Sequence, residues 1–169
     1  GDRIVIMKDG FVQQIGTPQQ VFDTPVNLFV AGFIGTPQMN FFNGKLEKTG
    51  AGYQIQCMGA TIPVTDEMSQ KLASKGQGNA DVIVGVRPEH VRYAPAGEGT
   101  LSGTVKSHFY LGDVNDCRVD LGGGKELRVI ADPYDSMDVE AGKKVSLNVR
   151  EFLVYDEQGP GNDFRKILT

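Results

Sequence analysis

The residues able to do chemistry are few. Among 169 residues there are two histidines and two cysteines. Cys57 and Cys117 lie far apart and in no metal-ligand spacing, the pattern of two reduced thiols. Together with His90 and His108 they make no convincing zinc shell. His90 has Glu89 beside it, but adjacent residues on a strand point to opposite faces, so the pair is a poor acid–base couple. His108, followed by Phe109-Tyr110, reads as a strand histidine. Carboxylates recur in Asp113/Asp116 and Asp132/Asp135/Asp138, where no Ser, Cys or His offers a second catalytic role, and they read as solvated loop charges. The sequence holds no G-x-x-x-x-G-K-[ST] loop and no G-x-G-x-x-G after a strand, nor a G-x-S-x-G elbow or an H-E-x-x-H helix. Gly97-Glu98-Gly99 and Gly122-Gly123-Gly124 are turn material. Catalytic, cofactor-binding and metal-ligating residues are therefore expected to be absent from this chain.

Composition narrows the class. Hydrophobic residues make up 40% and charged residues 22%, the balance of a folded chain. The formal net charge of −4 argues against a nucleic-acid partner, because that role needs a cationic face. The longest apolar run, Leu28 to Ile34, is interrupted by Gly32 and falls well short of the ~20 residues that span a bilayer. The opening Gly-Asp-Arg does not resemble a signal peptide, so the expectation is a cytosolic chain that meets a membrane only through a partner. With 22 Gly and 8 Pro, many short strands are favoured over a few long helices.

The elements follow from local patterns. Ile4–Met7 and Phe11–Ile15 flank Asp9-Gly10, a type I′ hairpin signal. Thr17-Pro18-Gln19-Gln20 reads as a helix start with a capping box, and Pro25 stops that helix. Asn27 is placed to cap a second helix, Leu28 to Ile34, which Gly35 and Pro37 terminate. One hairpin and two short helices cannot bury themselves, so the first ~35 residues look like the end of a larger domain. From Asn40 the pattern changes to period-two strands with one wet face, around Tyr53–Cys57, Val82–Val86, Cys117–Leu121, Leu127–Val129 and Val145–Val149. One helix is predicted among them, from Asp66 to Ser74, capped by Thr65 or Asp66 and ended by Lys75-Gly76. Glycine turns between short strands suggest a small barrel or a sandwich. The last residues, from Gly159, read as a loose tail or a packed edge.

Several segments, in a fixed order, carry a resemblance. Asp2 to Gly10 resembles the strand and hairpin after the switch histidine of ATP-binding-cassette ATPases, and Gln14-Ile15-Gly16-Thr17-Pro18, Val21-Phe22 and Pro25 continue it. Phe29-Val30-Ala31-Gly32-Phe33-Ile34-Gly35, then Pro37 and Met39-Asn40-Phe41, looks like the exit from that domain in subunits that power sugar import. Val84-Gly85-Val86-Arg87-Pro88-Glu89-His90 matches the Arg-Pro-Glu-His signature of the domain fused behind it, and Leu111-Gly112 falls where the family has a Leu-Gly turn.

The resemblance implies a mainly β fold: an OB-like small β-barrel, the transport-associated domain, over 38–169, preceded over 1–37 by a hairpin and two short helices left from an α/β ATPase domain. It implies a regulatory and dimerisation role in an importer similar to the maltose and multiple-sugar transporters. ATP and Mg would bind the parent subunit upstream of this chain. Implied partners are a second copy, the ATPase domain of the same parent, the transporter's membrane subunits and a regulatory protein, at the cytoplasmic face of the membrane. Candidate dimer or regulatory contacts are Arg87, Pro88, Glu89, His90, Leu111 and Gly112. Pro88 makes the strand leave its sheet, which frees Arg87 to pair with a carboxylate across a turn or a subunit boundary, as a strand-end lock or a dimer contact. Phe109-Tyr110 before Leu111-Gly112 look more like the polyamine and ferric-iron branches, whereas Pro37 and Met39-Asn40-Phe41 are the sugar-branch exit. A further alternative is an oxyanion-sensing barrel using Ser102-Gly103-Thr104 and Lys106-Ser107, since related transport-associated domains bind molybdate.

Overall fold

The computed structural model describes residues 2–35, 37–136, 139–157 and 166–169. Asp138, one of the loop carboxylates, and most of the predicted tail lie outside them.

The chain opens with β1 (Ile4–Lys8) and β2 (Phe11–Gly16), an antiparallel pair with a bulge between Ile6 and Met7. Asp9 and Gly10 turn the hairpin with φ of 51° and 81°, the two positive values a type I′ turn demands. Helix α1 (Pro18–Asp23) starts in a complete capping box: Thr17 Oγ1 accepts from Gln20 N at 3.2 Å and Gln20 Oε1 accepts from Thr17 N at 2.9 Å. Helix α2 (Leu28–Phe33) is capped by Asn27 Oδ1, which accepts from Val30 N at 3.0 Å. It ends one residue before the predicted Ile34, whose backbone is already extended. Ile6, Val21 and Val30 are buried together here, flanked by Ile4, Val26, Phe29 and Ile34. That small core uses one face of the hairpin and leaves Val5, Met7, Val12 and Ile15 about half exposed on the other.

The body follows as β3 (Asn40–Lys48), β4 (Tyr53–Cys57), β5 (Ala60–Pro63), α3 (Asp66–Ser74) and β6 (Ala80–Val86). A 3-10 turn at Pro88–His90 leads to β7 (Val91–Ala94), β8 (Leu101–Tyr110), β9 (Asn115–Gly122) and β10 (Lys125–Ala131). After a second 3-10 turn come β11 (Lys144–Val149) and β12 (Leu153–Asp156). The strands form two five-stranded antiparallel sheets, β12-β6-β3-β4-β5 and β10-β9-β8-β11-β7. They enclose one core, with Leu46, Ile55, Val82, Val84 and Val154 from the first sheet and Leu101, Val119, Leu127, Val129 and Leu147 from the second. The fold is mainly β and OB-like, and among the described residues neither sheet closes on itself. The chain end packs as an edge: Leu168 N donates to Val154 O, and Asp156 N to Lys166 O.

The predicted strands and α3 are present; Thr65 caps α3, its Oγ1 accepting from Met68 N at 3.3 Å. Strands β3 and β8 escaped the alternation pattern because a glycine sits at an inward position of each. A Cβ on Gly44 would lie 3.1 Å from Ile55 Cγ2, and one on Gly103 would lie 2.6 Å from Asp120 O. At Gly103 the facing backbone leaves no room for a side chain, and at Gly44 the Ile55 methyl would have to shift to admit one. Strand β6 corrects another expectation, since from Val82 to Val86 it has no wet face. Ile83 is 6% exposed and Gly85 is buried, because Met39 and Tyr155 lie on its outer side.

Asn40 pins the two sheets together. Its Nδ2 donates to Val86 O at 3.1 Å and to Arg128 O at 3.0 Å, while its Oδ1 accepts from Arg128 N at 3.0 Å. Arg128 in turn forks onto Asp116, at 3.0 and 2.6 Å. Replacing Asn40 by Ala strands three main-chain groups at this seam. Urea denaturation of Asn40→Ala is expected to show a loss of about 2–3 kcal/mol with the m value unchanged.

Candidate functional site

Pro88 is buried and ends β6 as its fixed φ and missing donor require. Arg87, immediately before it, is 4% exposed. The sequence suggested a carboxylate across a turn as its partner, but among the described residues Arg87 forms no ion pair and binds main-chain carbonyls. Nη2 donates to Phe22 O at 2.8 Å and Nη1 to Ile34 O at 3.3 Å, with the guanidinium carbon 3.8 Å from the Phe22 ring centroid. Phe22 lies in the last turn of α1, and Ile34 is the C-cap of α2. Carbonyls there have no intrahelical donor and carry the negative end of the helix dipole, so two short helices present Arg87 with what a carboxylate would otherwise supply. Burial pulls the Arg87 pKa below its ordinary value, opposed by Glu89, Tyr155 and Asp23. A guanidinium keeps its charge under such a shift.

Gly35 makes the approach possible. Its φ is +107°, and a Cβ there would lie 2.7 Å from Arg87 Nη1. Tyr155, fully buried on β12, adds a second tie: its hydroxyl donates to Pro25 O at 3.0 Å. Burial raises the Tyr155 pKa, keeping that hydroxyl protonated. Leu28 and Ala31 of α2 pack with Met39, Ile83 and Tyr155 beside it. Ile167 N donates to Val26 O at 3.0 Å. The hairpin–helix segment is thus clamped to the outer side of β6 and β12.

The remaining candidates divide. Glu89 and His90 sit in a 3-10 turn and not on a strand, because Pro88 starts that turn. His90 N donates to Arg87 O at 2.9 Å, and His90 Nε2 lies 3.6 Å from Glu151 Oε2, an ion pair when the ring is protonated. A cleft of about 670 Å³ opens beside Arg87, lined by charges of both signs that include Asp23, Glu67, Lys71, His90, Arg150 and Glu151. Leu111 and Gly112 belong elsewhere, to the β8–β9 turn, where Gly112 has a φ of 96° and Leu111 N donates to Val114 O. Phe109, Tyr110 and Leu111 are all more than half exposed there. Ser102, Thr104 and Lys106 lie on the exposed side of β8, with Lys106 4.0 Å from Glu126. Among the described residues, no group of three or more His, Cys, Asp or Glu is placed to hold a metal. Tyr155 went unnoticed in the sequence, where nothing separates it from other strand aromatics.

Both cysteines are free and buried. Burial pushes the Cys57 thiol up to about 11 and also raises Cys117, which lies against the Tyr93 hydroxyl.

Residues 35–91 match the model of the MalK OB fold domain, and residues 84–151 match that of the TOBE domain. The chain therefore carries these two domains, and it is a homologue of the C-terminal portion of ABC transporter ATP-binding proteins. It is 32% identical over 154 residues to the uncharacterized ABC transporter ATP-binding protein YurJ of Bacillus subtilis (strain 168), covering 89% of this chain and 41% of that protein. It is 48% identical over 89 residues to the oligosaccharides import ATP-binding protein MsmX of the same organism, covering 53% of this chain and 23% of MsmX. It is 44% identical over 94 residues to the trehalose import ATP-binding protein SugC of Mycobacterium tuberculosis, covering 56% and 23% respectively. The chain thus spans well under half the length of these relatives. In fold it is similar to the cytoplasmic molybdate-binding protein ModG, with a TM-score of 0.51 at 18% identity, over 68% of this chain and 94% of that one.

Two measurements check the site. Arg87→Met leaves the Phe22 and Ile34 carbonyls buried without donors and is expected to cost about 2–4 kcal/mol in urea denaturation. Native thiols are expected to resist a disulfide exchange reagent at pH 8 and react on unfolding. The unfolded chain gives up its Cys57 proton first. The contribution of Cys57 to stability is therefore full below its ordinary pKa near 9.0 and is lost as pH rises through about 11.

Proposed function

We propose that this chain is the C-terminal regulatory and dimerisation portion of the ATP-hydrolysing subunit of an ABC-type sugar importer. Residues 1–37 are the tail of its ATPase domain, and 38–169 are the OB-type body. ATP and Mg bind the parent subunit upstream. The partners are a second copy, the parent's own ATPase domain, the membrane subunits and a regulatory protein, at the cytoplasmic face of the membrane. Among the described residues no helix is long and apolar enough to cross a membrane, so attachment through membrane subunits fits.

The observation that carries this reading is the outward face of the first hairpin. Val5 pairs with Ile15 and Met7 with Val12, and all four are 50–55% exposed. Phe11 at the turn is 74% exposed. A two-stranded ribbon with apolar residues on both faces is built to be covered on both. Its inner face has α1 and α2; its outer face suits the rest of an ATPase domain. The sugar class is supported by the import proteins for oligosaccharides and trehalose among the relatives.

The test is complementation. A strain lacking the ATP-binding subunit of its sugar importer is expected to regain uptake with the full-length gene and to lose it with Ile15→Asp, which charges the outer face. Uptake of polyamine or ferric iron in place of sugar would reassign the substrate, and no rescue of any import would overturn the proposal.

A further inference from the structure

The contacts around Arg87 bear on how motion passes through the chain. Units joined in one polypeptide move relative to one another unless their interface is large and apolar. The boundary expected near residue 37 is crossed by a different kind of interface. Arg87 binds the ends of both α1 and α2, Tyr155 binds the segment between them, and Ile167 binds Val26. Ala31, Met39, Ile83 and Tyr155 are all buried in one cluster beneath these ties. The cation and the phenol are both withdrawn from water, so separating the units would break these hydrogen bonds and the Arg87–Phe22 ring contact together and expose the apolar cluster beneath them.

We propose that residues 17–34 and the two-sheet body form one rigid unit coupled by Arg87, so that displacement of the first hairpin is delivered undamped to β6 and β12. The segment opens only when the body opens, and Gly35 serves the close approach of the guanidinium, not a hinge. The functional meaning rests on the reading of 1–37 as the end of an ATPase domain; the coupling itself does not.

Hydrogen exchange on this chain distinguishes the two. In the unsubstituted protein under conditions where exchange reports opening equilibria, the protected amides of α2 (Ala31 and Ile34) and those of β9 and β10 are expected to exchange with protection factors within about threefold of one another. Arg87→Lys keeps the charge but cannot span both carbonyls, and Gly35→Ala pushes a methyl group against Nη1. Each is expected to speed exchange in α2 by about ten- to a hundredfold relative to β9 and β10. A role in bulk stability alone would speed both regions equally, and that result overturns the proposal. So does an α2 in the unsubstituted protein that opens far more often than the body. Should Arg87→Lys fail to fold, Gly35→Ala supplies the comparison. Loss of the transport reading by complementation would leave these exchange results standing, and equal speeding of both regions in the variants would leave the transport reading standing.

Discussion

A guanidinium withdrawn from water and held by carbonyls is the constraint around which the rest is arranged. Arg87 is charged and almost wholly buried, yet its partners are main-chain oxygens. A buried cation is tolerated where hydrogen-bond acceptors and the negative ends of dipoles offset its lost hydration. Two helices of six residues each end on it, so their unpaired carbonyls and the positive charge resolve one another's desolvation. The Phe22 ring covers the open face of the guanidinium. Neither α1 nor α2 is long enough to persist alone, and their position is set by this contact together with the cluster around Tyr155.

The same arrangement explains why β6 is the most buried strand. A strand in an antiparallel sheet over a core ordinarily keeps one face in water. Here the inner residues Val82, Val84 and Val86 face the core shared by the two sheets, while Ile83 and Gly85 face Met39, α2 and Tyr155. The glycine is required, because a Cβ at Gly85 would lie 2.5 Å from the Met39 sulfur. Strand β6 therefore links the two parts of the molecule, and it ends at the residue that clamps them. The matched OB and TOBE regions overlap over residues 84–91, so this junction lies in both.

Chemistry, by contrast, is dispersed. The histidines sit in separate places, one in the turn after Arg87 and one on β8, and the cysteines are buried in different sheets. Besides the charged cleft beside Arg87, the surface offers apolar patches, among them the outer hairpin face and the Phe109–Leu111 turn at the far end of β8. The chain covers 41% of the ABC transporter ATP-binding protein YurJ, and exposed apolar patches of this kind mark surfaces for contact with other protein.

The sequence by itself determined what depends on near neighbours. The Asp9-Gly10 turn, the Thr17 capping box, the Asn27 cap, α3 and the alternating strands were legible because their physical causes lie within a few residues. The ordered motifs carried the family, including Arg87-Pro88, and the end of β6 at that proline. Only the tertiary structure decided Arg87's partners, since Phe22 and Ile34 are 65 and 53 residues away and main-chain carbonyls leave no mark in a sequence. It alone decided that β6 is dry on both faces from Val82 to Val86, that Gly44 and Gly103 stand at inward positions, and that Tyr155 reaches Pro25 across 130 residues. In each case the deciding quantity is a close approach between segments distant in the chain, which no local pattern encodes.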